Sequence, residues 1–161
     1  MPQILKDGQI TTDNWSLVDD QAASLPAGDI LLSFEQWQNF NDQVSQHQGK
    51  VGVWLEGNIE IEQVIEPLLE LPLIAINFPK FADGRGFSTA RLIRERYQYS
   101  GELRAIGGFI RDQLYLLKRC GFNAFQFSNE DELSGAAESL NDFSENYQVS
   151  VDQKHPLFRR R

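Results

Sequence analysis

Apolar positions along the chain fall into two alternating regimes. Five short runs, Asp29 to Ser33, Val51 to Leu55, Leu73 to Phe78, Glu102 to Ile106 and Asn123 to Phe127, are rich in leucine, β-branched and aromatic residues. Runs of this length and density read as strands buried on both faces, the signature of a parallel sheet. Between them the apolar residues recur at helical spacing. Ser33 and Gln36 form a capping box ahead of Phe34, Trp37, Phe40 and Val44, and Asn58 stands ahead of Ile61, Val64, Ile65 and Leu68, where Pro67 should kink or end the helix. Ser88 is placed to cap a helix whose inner face carries Ala90, Ile93 and Tyr97. Ile110, Leu114 and Leu117 define the next, stopping at Gly121, and Asn129 with Glu132 opens the last, which buries Ala136, Ala137 and Leu140. Upstream of all this, Ile4 to Thr11 alternates apolar and polar residues around Asp7-Gly8, a two-residue turn signal for a β-hairpin.

The pattern predicts an α/β fold of repeated βα units with a mainly parallel sheet, preceded by an N-terminal β-hairpin. Parallel neighbours need right-handed crossovers, which an open layered sheet and a partial barrel satisfy equally. A single domain is expected over residues 1–146, with the hairpin and its lead-in loop at 1–28 and the βα units at 29–146. Residues 147–161, ending in Arg159-Arg160-Arg161, read as a C-terminal tail with a solvated basic end.

Composition narrows the function classes. No apolar run approaches the roughly 20 residues that cross a bilayer, and the start, Met1-Pro2-Gln3-Ile4, lacks the pattern of a secretory signal. A soluble, cytoplasmic protein without membrane contact is the expectation. A net charge of −8 argues against nucleic acid as a partner. One cysteine, Cys120, and two histidines, His47 and His155, leave too few nitrogen and sulfur ligands for a zinc or haem site. Cys120 sits at a helix C-terminus and reads as a packing residue. Paired catalytic carboxylates, a Ser/His/Asp grouping, a dinucleotide fingerprint and a phosphate-loop lysine are all missing from the sequence, so any redox role would need an organic cofactor or a partner.

Against the acidic whole, the window from Lys80 to Arg119 holds nine Lys and Arg and only four acids. It surrounds the loop Asp83-Gly84-Arg85-Gly86 and the glycine pair Gly107-Gly108. In a parallel sheet the loops after the strands form the ligand-facing edge, and guanidinium forks with exposed backbone N–H groups suit sulfate, phosphate or carboxylate. The candidate anion-binding set is therefore Arg85, Gly86, Ser88, Arg91, Arg104, Gly107, Gly108 and Arg111, supported by Asp83, Gly84 and Asp112. Arg104, inside a strand, needs a partner such as Asp83, Glu56 or a bound anion. Arg91 has Glu95 one turn away as an alternative partner.

Phe78-Pro79-x-Phe81-x-Asp83-Gly84-Arg85-Gly86-Phe87-Ser88-x-Ala90-Arg91, Gly101-Glu102-Leu103-Arg104-Ala105, Arg111-Asp112-Gln113-Leu114 and Arg119-Cys120-Gly121-Phe122 together resemble a bacterial family of unknown function, commonly labelled an oxidoreductase involved in sulfite reduction. The ending from Pro156 is similar as well. Where that family often carries glycine, a polar or acidic residue, and aspartate, this chain has Gln98, Gly108 and Asn123. The resemblance implies an accessory protein of assimilatory sulfite reduction, binding an oxyanion, a nucleotide anion, or sulfite reductase or another sulfate-assimilation protein. The alternative it implies is an oxidoreductase that borrows a flavin or nicotinamide. It transfers no catalytic residues and names no cofactor.

Overall fold

The computed structural model describes residues 2–79 and 84–141. Asp83 and the tail expected at 147–161 lie outside them. Eight strands form one sheet: β1 (Gln3–Lys6), β2 (Gln9–Thr12), β3 (Ser16–Leu17), β4 (Ile30–Ser33), β5 (Val51–Glu56), β6 (Leu73–Phe78), β7 (Glu102–Gly107) and β8 (Ala124–Phe125). Their order is β2-β1-β8-β7-β6-β5-β4-β3, with β3 through β8 parallel and the β1–β2 hairpin antiparallel against β8. The hairpin turns at Asp7 (φ 51°) and Gly8 (φ 83°), both left-handed as a tight two-residue turn demands.

The connection between β2 and β3 dictates the shape of the sheet. These strands occupy opposite ends of the order, yet only Asp13, Asn14 and Trp15 separate them. Four residue steps span at most about 14 Å, whereas the edges of a flat eight-stranded sheet lie roughly 33 Å apart. The sheet must curl, and it forms a half-barrel. Backbone bonds show the extended stretch serving both edges: Asp13 N–H donates to Pro2 O (2.9 Å), then Ser16 N–H to Asp29 O (2.9 Å) and Val18 N–H to Leu31 O (3.0 Å).

Curling gives the sheet two unlike faces. Outward, Leu5, Val53, Leu55, Ile74, Ile76, Leu103 and Phe125 pack beneath the helices with Ile61, Ile65, Leu68, Ala90, Ile93, Leu114, Leu117 and Leu140. Cys120 is buried in the same cluster, in the packing role expected of it. Inward, Leu31, Leu73 and Ala75 meet Trp15, Trp54 and Ile106. Arg104 shares this inner face at 1% exposure. Its Nη1 lies 3.2 Å from Asp13 Oδ2 and 3.1 Å from Gln126 Oε1, and its Nη2 lies 2.9 Å from Glu102 Oε2. Lys6 Nζ completes the group, 3.0 Å from Glu102 Oε1. Asp13 and Glu102 are thus the partners, in place of the expected Asp83, Glu56 or anion. Asp13 was hidden from sequence reasoning because only the curl carries it across 91 positions.

The helices shift their expected ends, and the side chain of Ala137, expected on the inner face of the last one, lies outside those described. The first breaks at Phe40 into α1 (Phe34–Asn39) and α2 (Asn41–Gln46), with the Ser33/Gln36 capping box present. Helix α3 (Ile61–Val64) starts after Glu60, not Asn58, and passes at Pro67 into a 3-10 turn, Glu66–Leu68. Helix α4 (Arg85–Arg91) begins after Gly84, which leaves Ser88 inside it, and runs into a π turn, Leu92–Arg96. Gln98 follows at φ 54°, a left-handed position that favours glycine. A 3-10 turn, Arg111–Gln113, leads into α5 (Leu114–Arg119), and α6 spans Leu133–Asn141.

At the opposite end from the strand C-termini, Arg94 acts as a clamp. It donates to Gly121 O, Tyr99 O and Gly101 O, each at 2.8 Å, and to Asn123 Oδ1 at 3.2 Å, tying the loops that enter β7 and β8. Burial pulls its pKa down, with Tyr99 and Asp7 opposing. Burial also pushes the Tyr99 phenol well above its ordinary value, against the pull of Arg94.

Two outcomes are expected. Arg104→Met should lower the unfolding free energy by about 3–5 kcal/mol in urea titrations, because buried Asp13 loses its counter-charge and Glu102 keeps only Lys6. Tyr99 donates to Leu71 O at 2.6 Å. Since its folded pKa is raised, the unfolded chain ionises first, and the Tyr99 contribution is whole below about pH 10 and drains away above it. Urea midpoints measured across that range should fall less steeply for Tyr99→Phe, which itself costs about 1 kcal/mol at neutral pH.

Candidate functional site

Because β3 to β8 run the same way, their C-terminal ends and following loops share one rim, towards which helix N-termini also point. Neighbouring strands β6 and β7 deliver the two glycine loops there. The loops are stitched together: Gly108 N–H donates to Phe78 O at 2.6 Å, and Ser128 Oγ donates to Gly107 O at 2.7 Å.

The predicted site residues divide by place. Arg85 opens α4 and Arg111 opens the turn after β7, so both stand at the rim, exposed, on adjacent loops. Gly86, Ser88, Gly107 and Gly108 lie beside them, Ser88 exposed within α4. Asp112 is exposed next to Arg111, and with Asp131 and Glu132 it borders a hollow of about 370 Å³. The Arg111 guanidinium rests against Gly135 of α6. Two arginines do not join the rim. Arg91 is 40% exposed on α4 and pairs with Glu95 at 3.2 Å, the one-turn partner visible in the sequence. Arg104 is engaged by carboxylates within the sheet.

The glycines serve packing before anything else. A Cβ on Gly86 would meet the Phe78 ring at 2.5 Å, and one on Gly57 would meet Gly86 N at 3.0 Å. Gly107 holds φ 94°, where a Cβ would strike Asn77 Oδ1 and come within 2.6 Å of Phe78 O. Gly84, with φ −79° and nothing within 4 Å, has room for a side chain. The Gly108 N–H, expected to face a phosphate, is already given to Phe78.

The other half of the rim follows β4 and β5. Both carboxylate oxygens of Glu56 accept from one amide nitrogen, Asn77 Nδ2, at 3.3 and 3.2 Å. Gln36 Nε2 donates to Asp19 O at 2.8 Å and fastens the segment before β4 to the start of α1. Ser33 and Glu56 are the last residues of β4 and β5. Asp20 and Glu35 stand beside them, and in the sequence their isolated carboxylates look like any solvated charge. Among the described residues no group of three or more His, Cys, Asp and Glu is arranged to hold a metal ion.

Curled sheet and rim define a mostly parallel α/β half-barrel whose loops after β6 and β7 carry arginine. A family model, described as a bacterial protein of unknown function (DUF934), matches residues 52–158, and the chain belongs to that family. No curated protein and no solved structure matches it. Among the described residues, no helix is long and apolar enough to cross a membrane.

Substitution should separate the glycines. Gly86→Ala and Gly107→Ala are expected to cost about 1–3 kcal/mol each, and Gly84→Ala to stay within about 0.5 kcal/mol of the parent in thermal melts.

Proposed function

We propose that this protein is an accessory factor of assimilatory sulfite reduction whose rim at β6 and β7 receives an anion, either a sulfur oxyanion or nucleotide anion or an acidic surface of the reductase. The placement of Arg85 and Arg111 carries this reading: each is the first helical residue after one of two adjacent parallel strands, at the edge where α/β sheets take ligands. Charge supports it, since residues 84–119 hold eight Lys and Arg against three acids. Of these cations, Arg94 and Arg104 are consumed internally, and Arg91 and Arg96 face Glu95 and Glu62. Arg85 and Arg111 are the members of the charge island that follow directly on the ends of β6 and β7. The sulfite-reduction context rests on the resemblance of the Asp83 to Arg91 and Gly101 to Ala105 motifs.

Arg85→Ala/Arg111→Ala should abolish growth on sulfate in a host lacking its own copy, with the melting temperature unchanged. In thermal-shift titrations the parent should respond to at least one of sulfite, sulfate, phosphate or adenosine phosphosulfate, and the double variant to none. Normal growth together with equal shifts in the two proteins would overturn the reading. Responses to flavin or nicotinamide that ignore both arginines would favour a cofactor-dependent enzyme.

A further inference from the structure

A cavity of about 820 Å³ opens at the other half of the rim, over the C-terminal ends of β4 and β5. The residues lining it include the aromatics Phe34, Phe40 and Trp54 and the exposed acids Asp20, Glu35 and Glu56, and none of the described residues lining it is basic. Three features give it the form of a receptor. It lies where parallel sheets bind ligands. Its walls are braced before any ligand arrives, by the Ser33/Gln36 capping box, by Gln36 holding Asp19, and by Asn77 holding Glu56. And its carboxylates lack counter-charges: among the described residues Asp20 and Glu35 have no hydrogen-bond or ion-pair partner, and Glu56 has only the neutral amide of Asn77.

We infer that this cleft binds an organic cation, an ammonium or guanidinium group on a short aliphatic stem. Aromatic faces attract such cations and pack their methylenes, while the carboxylates take the N–H donors. The surrounding field favours the same guest. Residues 1–79, which build the cleft, carry twelve Asp and Glu against two Lys. The guest is either a free amine or a lysine or arginine side chain on a partner protein, and the recognition chemistry is shared. This site is separate from the arginine rim, and neither depends on the other.

Calorimetry on the full chain tests it with agmatine, n-butylammonium and an end-blocked Gly-Arg-Gly peptide, against butanol and the citrulline peptide as neutral counterparts. Saturable binding of at least one cation is expected with a Kd between about 1 μM and 1 mM. Glu35→Gln/Glu56→Gln should weaken it about tenfold or more. Phe40→Leu should weaken the cations and spare the neutral compounds. Glu70→Gln, which removes an exposed charge outside the cleft, and Arg85→Ala should leave the affinity unchanged. Binding by agmatine alone would identify a free amine, and binding by the peptide alone a partner's side chain. Equal binding of the neutral counterparts, equal weakening by Glu70→Gln, or no saturable uptake of any cation would overturn the inference.

Discussion

The buried contact between Arg104 and Asp13 holds the two ends of the sheet in one object. Asp13 belongs to the three-residue connection that crosses from one edge strand to the other, and Arg104 stands in β7 on the inner face. Backbone bonds let the stretch from Gln9 to Leu17 serve both edges, and the guanidinium anchors its middle on the inner face. Glu102 and Gln126 occupy remaining donors of Arg104, and Lys6 brings β1 into the same network. A charge taken out of water at this depth persists only with such complete pairing.

Curvature fixed in this way decides what the rim can do. All the parallel strands deliver their C-terminal loops to one side, and the chain distributes charge unequally around them. Loops after β6 and β7 carry Arg85 and Arg111, and those after β4 and β5 carry Glu35 and Glu56 beside aromatic rings. The result is a rim with opposite preferences at its two halves. Salt confines each field to about one Debye length from the surface, so each half of the rim acts on what comes close to it.

Local chemistry was legible in the sequence and long-range geometry was not. The Asp7-Gly8 turn, the β6 strand from Leu73 to Phe78, the Ser33/Gln36 capping box and the Arg91–Glu95 pair all follow from residues within a few positions of each other, and the structure contains each. The start of α4 was misplaced because Ser88 is a better cap by type than Gly84, while packing of Gly86 on the Phe78 ring brings the helix in earlier. Arg104 was correctly seen to need a counter-charge, yet Asp13 sits in an irregular connection with no periodic signal. The aromatic cleft was invisible for the same reason: Asp20, Glu35 and Glu56 come from three separate segments and meet only through the fold.

A double-mutant cycle between Arg104 and Asp13, using Arg104→Met and Asp13→Leu in urea unfolding, measures the central interaction most directly. The account predicts a coupling free energy of about 2 kcal/mol or more, with the double variant more stable than the sum of the two single losses implies. Additive losses, with coupling below about 0.5 kcal/mol, would contradict it.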